Sequence, residues 1–349
     1  MILYNVIFFS LVLTQFSLKT NSHWRTLVYT IVLCLLFIFA GFRFEVGCDW
    51  FGYVNQWQLQ KDLPIRLALL NTDPTWWVMI DIIQSLGFSY PWLNLASSGI
   101  FFFGLHVIAR RQPDPLGFLV LLYPILIINM PMSGIRQAVA IGIMCFAINS
   151  FIDKRTLWFV TWTLLASTFH NSAIIFILLS PLVGKNYTKT RMFASSILAI
   201  PGFLVIVSGA GAATAISRYI DTDIDAAGAI FRVGLISLTG IGYFWILRKK
   251  WKHTFPQDYH LITLGGLALC AIILIIPLST VIADRMSYFL IIIQTIIFAR
   301  IPYLPIRKSK KFYTVAPYLA LGLLFIVWTS TSSLFTQCYV PYSSWLFSL

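Results

Sequence analysis

Apolar residues run through this chain in blocks of about twenty, the length a helix needs to cross a bilayer. Short polar breaks at Pro, Gly or charged clusters separate them. The blocks fall at 1–18, 24–42, 90–109, 116–131, 135–152, 156–169, 171–184, 192–209, 230–247, 260–282, 286–304 and 313–331, which predicts about 12 transmembrane helices. A β-barrel would show short alternating strands, and runs such as Ile272–Leu278 and Leu290–Phe298 do not alternate. The first block lacks the basic start and small-residue cleavage site of a signal peptide and is read as a helix. Blocks 156–169 and 171–184 are short and pivot on His170, so they are either two crossings or one hairpin with its tip just inside the membrane. Segment 66–87 carries Asp73-Pro74 and Asp81 and reads as an outer amphipathic or re-entrant piece, with Trp76 and Trp77 at headgroup level.

Composition agrees with this pattern: 58% of the residues are hydrophobic, 11% are charged, and mean hydropathy is +0.82. Soluble domains carry about twice that share of charge, so the chain is an all-α, polytopic membrane protein. No soluble domain can be cut out, and residues 1–349 are taken as one transmembrane domain. The formal charge of +13 would suggest nucleic acid as a partner in a soluble protein. Its placement argues otherwise. If the loop holding Lys19 and Arg25 is cytoplasmic, alternation puts about 18 basic residues inside and about 7 outside, the bias expected of topology-setting loops. The inner set includes Arg110, Arg111, Lys154, Arg155, Arg248, Lys249, Lys250, Lys252, Arg300 and Lys308 to Lys311; the outer set is Arg43, Lys61, Arg66, Arg136, Arg218, Arg232 and Arg285.

Four polar sequences then fall on the outer face. They are Arg43 to Tyr53 (with Glu45, Gly47, Cys48 and Asp49), Ser133-Gly-Ile-Arg-Gln137, Thr168-Phe-His-Asn-Ser172 and Asp284-Arg-Met-Ser-Tyr288. Charge this close to hydrocarbon is costly and marks function more often than chance. Arg43, Arg136 and Arg285 offer planar forks suited to phosphate oxygens; the alternative is that each only pairs with a neighbouring acid, Arg43 with Glu45 and Arg285 with Asp284. Asp49 and Tyr53 are four apart and share a helical face, and Asp284 and Tyr288 repeat that spacing. Asp49 is one candidate general base. His170 is the other, since an imidazole titrates near neutrality.

The Asp221-Thr-Asp-Ile-Asp225 run could hold a divalent ion against a nucleotide sugar, but it lies on the outer face, away from cytoplasmic nucleotide, and reads better as a solvated loop. Cys34, Cys48, Cys145, Cys270 and Cys338 show no metal-ligand spacing. Cys48 and Cys338 share the outer face, which leaves a disulfide between them open. No cofactor is called for.

Arg43…Gly47-Cys-Asp49…Tyr53, Arg136-Gln137-Ala-Val-Ala140, Phe169-His-Asn-Ser-Ala173, Asp284-Arg285…Tyr288 and the near-terminal Pro341-Tyr342 resemble, in order and spacing, the Wzy/EpsG family of bacterial polysaccharide polymerases. Cys48 stands where that pattern usually has a small polar residue before the Asp. The resemblance implies an enzyme of O-antigen, capsule or exopolysaccharide synthesis in the bacterial plasma (inner) membrane. Donor and acceptor would be undecaprenyl-diphosphate-linked oligosaccharides. Membrane lipids, a chain-length regulator and a flippase would be its partners, and nucleic acid would not. On this reading Arg136 and Arg285, assisted by Arg43, hold the donor diphosphate together with Gln137 and Asp284. Asp49 or His170 takes the acceptor proton, Tyr53 and Tyr288 orient the sugars, and the reaction is metal-independent and inverting. Phe101–Phe103 and Trp158–Trp162 are candidate surfaces for the prenyl tail.

Other classes make different demands. A flippase would place charge near the midplane, often in paired repeats, whereas these spans are clean and show no repeat. An O-antigen ligase would share donor and face but differ in acceptor. A membrane acyltransferase would turn its histidine to the cytoplasm.

Overall fold

The computed structural model describes residues 1–18, 23–61, 64–70, 73–184, 228–306 and 309–347, and isolated positions between 188 and 197. Most of the expected span at 192–209, the loop with the Asp221–Asp225 run, Arg218, and the basic residues Lys19, Lys185, Arg191, Arg307 and Lys308 lie outside the described residues.

The described residues are helical, with no strand beyond an isolated bridge between Arg43 and Ser344. In chain order they form α1 (Ile2–Ser17), α2 (His23–Gly41), α3 (Trp50–Lys61), α4 (Ile65–Ala68), α5 (Pro74–Ser85), α6 (Pro91–Ala109) and α7 (Pro115–Leu122). There follow α8 (Ile135–Ile152), α9 (Thr156–Phe169) and a 3-10 helix at Asn171–Leu182. The last five are α10 (Ala229–Thr254), α11 (Tyr259–Ile275), α12 (Thr280–Arg300), α13 (Lys310–Thr331) and α14 (Ser333–Tyr339). Six described helices are long and apolar enough to cross a membrane: α2, α6, α8, α10, α12 with its 3-10 end, and α13. Among the described residues the other apolar blocks, including α1 and α9, form shorter helices, and the protein is multi-pass.

Helix starts follow local chemistry. Pro74, Pro91 and Pro115 each sit at the first turn, where a missing N–H costs nothing. Asp114 accepts from Gly117 N–H at 3.1 Å, and Ser332 from Phe335 N–H at 3.2 Å. The α6–α8 crossing depends on two glycines: a Cβ on Gly104 would fall 2.0 Å from the Gly142 carbonyl oxygen, and one on Gly142 2.7 Å from that of Ile100. Backbones this close require small residues, as in other membrane helix pairs.

The two ends of the bundle carry different chemistry. Arg25 begins α2 and Arg43 follows its end, about 28 Å along the axis. At the Arg25 end, that guanidinium pairs with Asp114 at 2.7 Å, Arg111 with Asp153 at 2.6 Å, and Arg300 with Asp258 and Gln112. The four polar sequences gather at the Arg43 end. Expectations at two places are corrected. Trp76 presents no ring to lipid headgroups: it is fully buried, donating to Gln56 Oε1 at 2.9 Å beneath the Tyr53 ring. Phe101 and Phe102 are core residues, which leaves them no surface for a lipid tail.

Candidate functional site

The site is assembled around the turn between α2 and α3. Gly47 adopts φ +107°, and a Cβ there would overlap the Met132 carbonyl oxygen, so only glycine lets this turn seat against the loop before α8. The next residue, Cys48, is joined to Cys338 by a disulfide with a Cα–Cα distance of 4.7 Å, and Gly47 N–H donates to the Cys338 carbonyl at 2.7 Å. The pairing left open by sequence is therefore made. It brings the α14 end, and Tyr339 with it, against the start of α3.

A cavity of about 350 Å³ opens at this junction. It is lined by Asp49, Tyr53, Arg136, Gln137, His170, Asp284, Arg285 and Tyr288, which come from four separated stretches of the chain. Tyr339, Ser133, Gln56 and Arg232 also contribute to the polar wall.

Asp49 is exposed at the cavity edge. Its N–H donates to Ser133 Oγ and its Oδ2 accepts from the same hydroxyl, both at 3.3 Å. Arg136, in the first turn of α8, donates from Nη1 to Asp73 Oδ2 at 2.7 Å and lies 5.8 Å from the centre of the Tyr53 ring. Its Nε is buried and has no partner among the described residues. A guanidinium has five donors, so pairing on one edge leaves others for an anion. Burial pushes the Tyr53 phenol above its ordinary value, which keeps it a neutral donor. Arg285 is exposed, and its backbone carbonyl accepts from Gln137 Nε2 at 2.6 Å. Gln137 thus acts on α12 rather than pointing a free amide into the cavity.

His170 sits at the break between α9 and the 3-10 helix, with extended backbone. Its Nδ1 lies 2.6 Å from Ser172 Oγ. Burial, with Arg136 and Arg285 nearby, lowers its pKa from 6.5 to about 3, so the ring is neutral at physiological pH. Taking up a proton here would create an imidazolium facing two guanidinium groups. That sets it apart from the near-neutral base its residue type suggests.

The structure departs from the expected arginine set at one position. Arg43 is fully buried and outside the cavity. Its guanidinium donates to the carbonyls of Val46 at 2.9 Å and Ala40 at 3.0 Å and to Asn94 Oδ1 at 3.1 Å, and lies over the Trp50 ring. It closes the α2–α3 turn and does not pair with Glu45. Arg232 takes its place in the wall, pairing with Asp284 at 2.8 Å and approaching the Tyr288 ring. Asp284 therefore bonds to Arg232. Sequence reasoning counted Arg232 only as an outer charge and Asp73 only as a polar residue of the amphipathic segment 66–87. The signal for Arg232 was available: a single arginine near the start of an apolar run, as with Arg136.

An all-helical, multi-pass membrane protein with an arginine-, carboxylate- and tyrosine-lined cavity at one end of its bundle fits an enzyme acting on charged, lipid-borne substrates. The EpsG family profile matches residues 26–344, nearly the whole chain, and the chain belongs to that family, one of Wzy-like polysaccharide polymerases. No curated protein and no solved structure matches it.

Proposed function

We propose that the protein polymerises lipid-linked oligosaccharide units at the outer face of the bacterial plasma membrane. The growing glycan is moved from undecaprenyl diphosphate onto a new lipid-linked repeat unit. The observation that carries this reading is the meeting of Arg136, Arg285, Asp49 and Tyr288 in one cavity.

In this mechanism Arg136 and Arg285, with Arg232 in the place first given to Arg43, hold the donor diphosphate and stabilise the charge it gains on leaving. Asp49 takes the proton of the acceptor hydroxyl, because His170 is held neutral and weakly basic. The hydroxyl oxygen bonds to the anomeric carbon as the bond from that carbon to the phosphate oxygen breaks. Undecaprenyl diphosphate departs with the electron pair, and a single in-line displacement inverts the anomeric centre. Tyr53 and Tyr288 orient the sugars. Gln137 and Asp284 are positioning residues, through the Arg285 carbonyl and Arg232 respectively.

The disulfide supports the outward orientation. Disulfides persist outside the cytoplasm and are rare within it, and Cys48 borders the cavity. The test is reconstitution of the purified protein with a defined undecaprenyl-diphosphate-linked repeat unit and no added nucleotide. Products of two and more units, with release of undecaprenyl diphosphate, are expected. Transbilayer movement of the unit without linkage would instead identify a flippase.

A further inference from the structure

A second, larger concavity of about 630 Å³ lies on the other side of α3. Its lining includes four aromatic residues, Phe44, Trp50, Trp57 and Tyr90. They interlock edge to face, with ring centroids 5.5 Å apart for Phe44 and Trp50, 4.9 Å for Trp50 and Tyr90, and 6.1 Å for Trp57 and Tyr90. Phe51 and Phe88 also line it and are 69% and 43% exposed. The polar lining includes Glu45, Gln58, Lys61, Ser89 and Gln84, whose Nε2 donates to the Trp57 carbonyl at 2.6 Å. Glu45 holds a left-handed backbone, φ 53°, between two anchors: Phe44 N–H donates to the Ser343 carbonyl and Arg43 Nε to that of Val46, both at 2.9 Å. A non-glycine residue in that conformation is strained and persists only where its surroundings impose it.

This mixture selects one class of occupant. Aromatic rings with an amide, carboxylate and ammonium border suit a pyranose, which has apolar C–H faces and a ring of hydroxyls. A lipid chain would strip water from Glu45 and Lys61 without compensation. The size lies within the usual range of small-molecule sites, about 300–1,000 Å³. The groove and the cavity flank α3: Tyr53 and Gln56 line the cavity on one side, and Trp50, Val54, Trp57 and Lys61 line the groove on the other.

We propose that this groove is a second carbohydrate subsite, which holds pyranose units of the glycan beside the cavity and keeps the growing chain on the enzyme between additions. The proposal rests on the polymerase reading. Its test uses the full chain in nanodiscs and, as probe, lipid-free oligosaccharide of two or more repeat units released from the cell's own polymer. Saturation-transfer NMR and calorimetry should show binding that weakens about tenfold in the Phe51→Ala/Gln58→Ala double variant, the scale of one lost stacking contact. In cells the same variant should make shorter chains, with a loss of rate that grows with glycan length. Native affinity and native chain length would overturn the subsite and leave the rings as headgroup anchors. A loss equal at every glycan length would overturn it too. The Arg285→Ala variant separates the two readings. Polymer persisting in that variant counts against the polymerase site, whereas native-length polymer in the groove variant, made by an Arg285-dependent enzyme, counts against the groove alone.

Discussion

Arg136 Nη1 lies 2.7 Å from Asp73 Oδ2, joining the first turn of α8 to the cap of α5. The other Asp73 oxygen accepts from Asn171 N–H at 3.1 Å, so one carboxylate fixes three segments around the cavity. Arg136→Ala therefore leaves Asp73 buried without its counter-ion. Breaking a buried pair costs about 3–5 kcal/mol; with Arg136 28% exposed, solvent screening reduces the expected loss to about 1–3 kcal/mol. Arg136→Ala/Asp73→Asn should recover thermal stability in detergent and still make no polymer. Recovery of both would reduce Arg136 to a tether.

Some of this site was legible in the chain and some was not, for identifiable reasons. Asp49, Arg136, His170 and Arg285 each stand at a polar break beside an apolar block, where a charge has few inexpensive roles. The inference failed for Arg43 because a charge at a helix end reads the same whether it opens into a cavity or folds back onto its own carbonyls. The Arg136–Asp73 and Cys48–Cys338 pairs join residues far apart in sequence, and no periodicity encodes such pairs. Block length alone does not separate long helices from short ones: six described helices have the length of a span, whereas α1, α9 and Asn171–Leu182 are shorter, the last two parted at His170.

Arg285 offers a second test of anion binding, since its side chain is exposed and its truncation leaves the Arg136–Asp73 pair in place. Arg285→Ala should reach native levels in the membrane while the rate of chain extension falls about 10²–10³-fold, the scale of losing one donor to a developing anion. Arg285→Lys keeps the charge but not the fork and should recover only part. Gel profiles of the polymer, normalised to protein, decide this.

Arg43→Ala should fail differently. Three acceptors buried with it, on Ala40, Val46 and Asn94, would lose their donor at about 1–3 kcal/mol each. The expected outcome is little folded protein rather than a folded, inactive enzyme. A well-expressed, inactive Arg43→Ala variant would return this residue to the substrate.

The disulfide ties Asp49 and Tyr339 together through their neighbours Cys48 and Cys338. Losing a native disulfide costs about 2–5 kcal/mol, so Cys48→Ser/Cys338→Ser should melt earlier and extend chains more slowly. In intact cells a membrane-impermeant reductant followed by an impermeant maleimide should label both cysteines. Labelling only after the membrane is opened would reverse the orientation.

The choice between Asp49 and His170 as base can be made from pH as well as from truncation. His170 falls from 6.5 to about 3 in the folded protein. Between those values the unfolded chain binds more protons than the folded one, so stability rises with pH across this window and declines as pH drops from 6.5 towards 3. His170→Gln should flatten that decline. The activity profile of the native enzyme should show no inflection near 6.5 from this residue, and His170→Gln should retain extension. Asp49→Asn should lose more than about 10²-fold in rate with an unchanged melting profile, the mark of a missing general base. An inflection near 6.5 that disappears in His170→Gln, together with an active Asp49→Asn, would assign the proton to the imidazole.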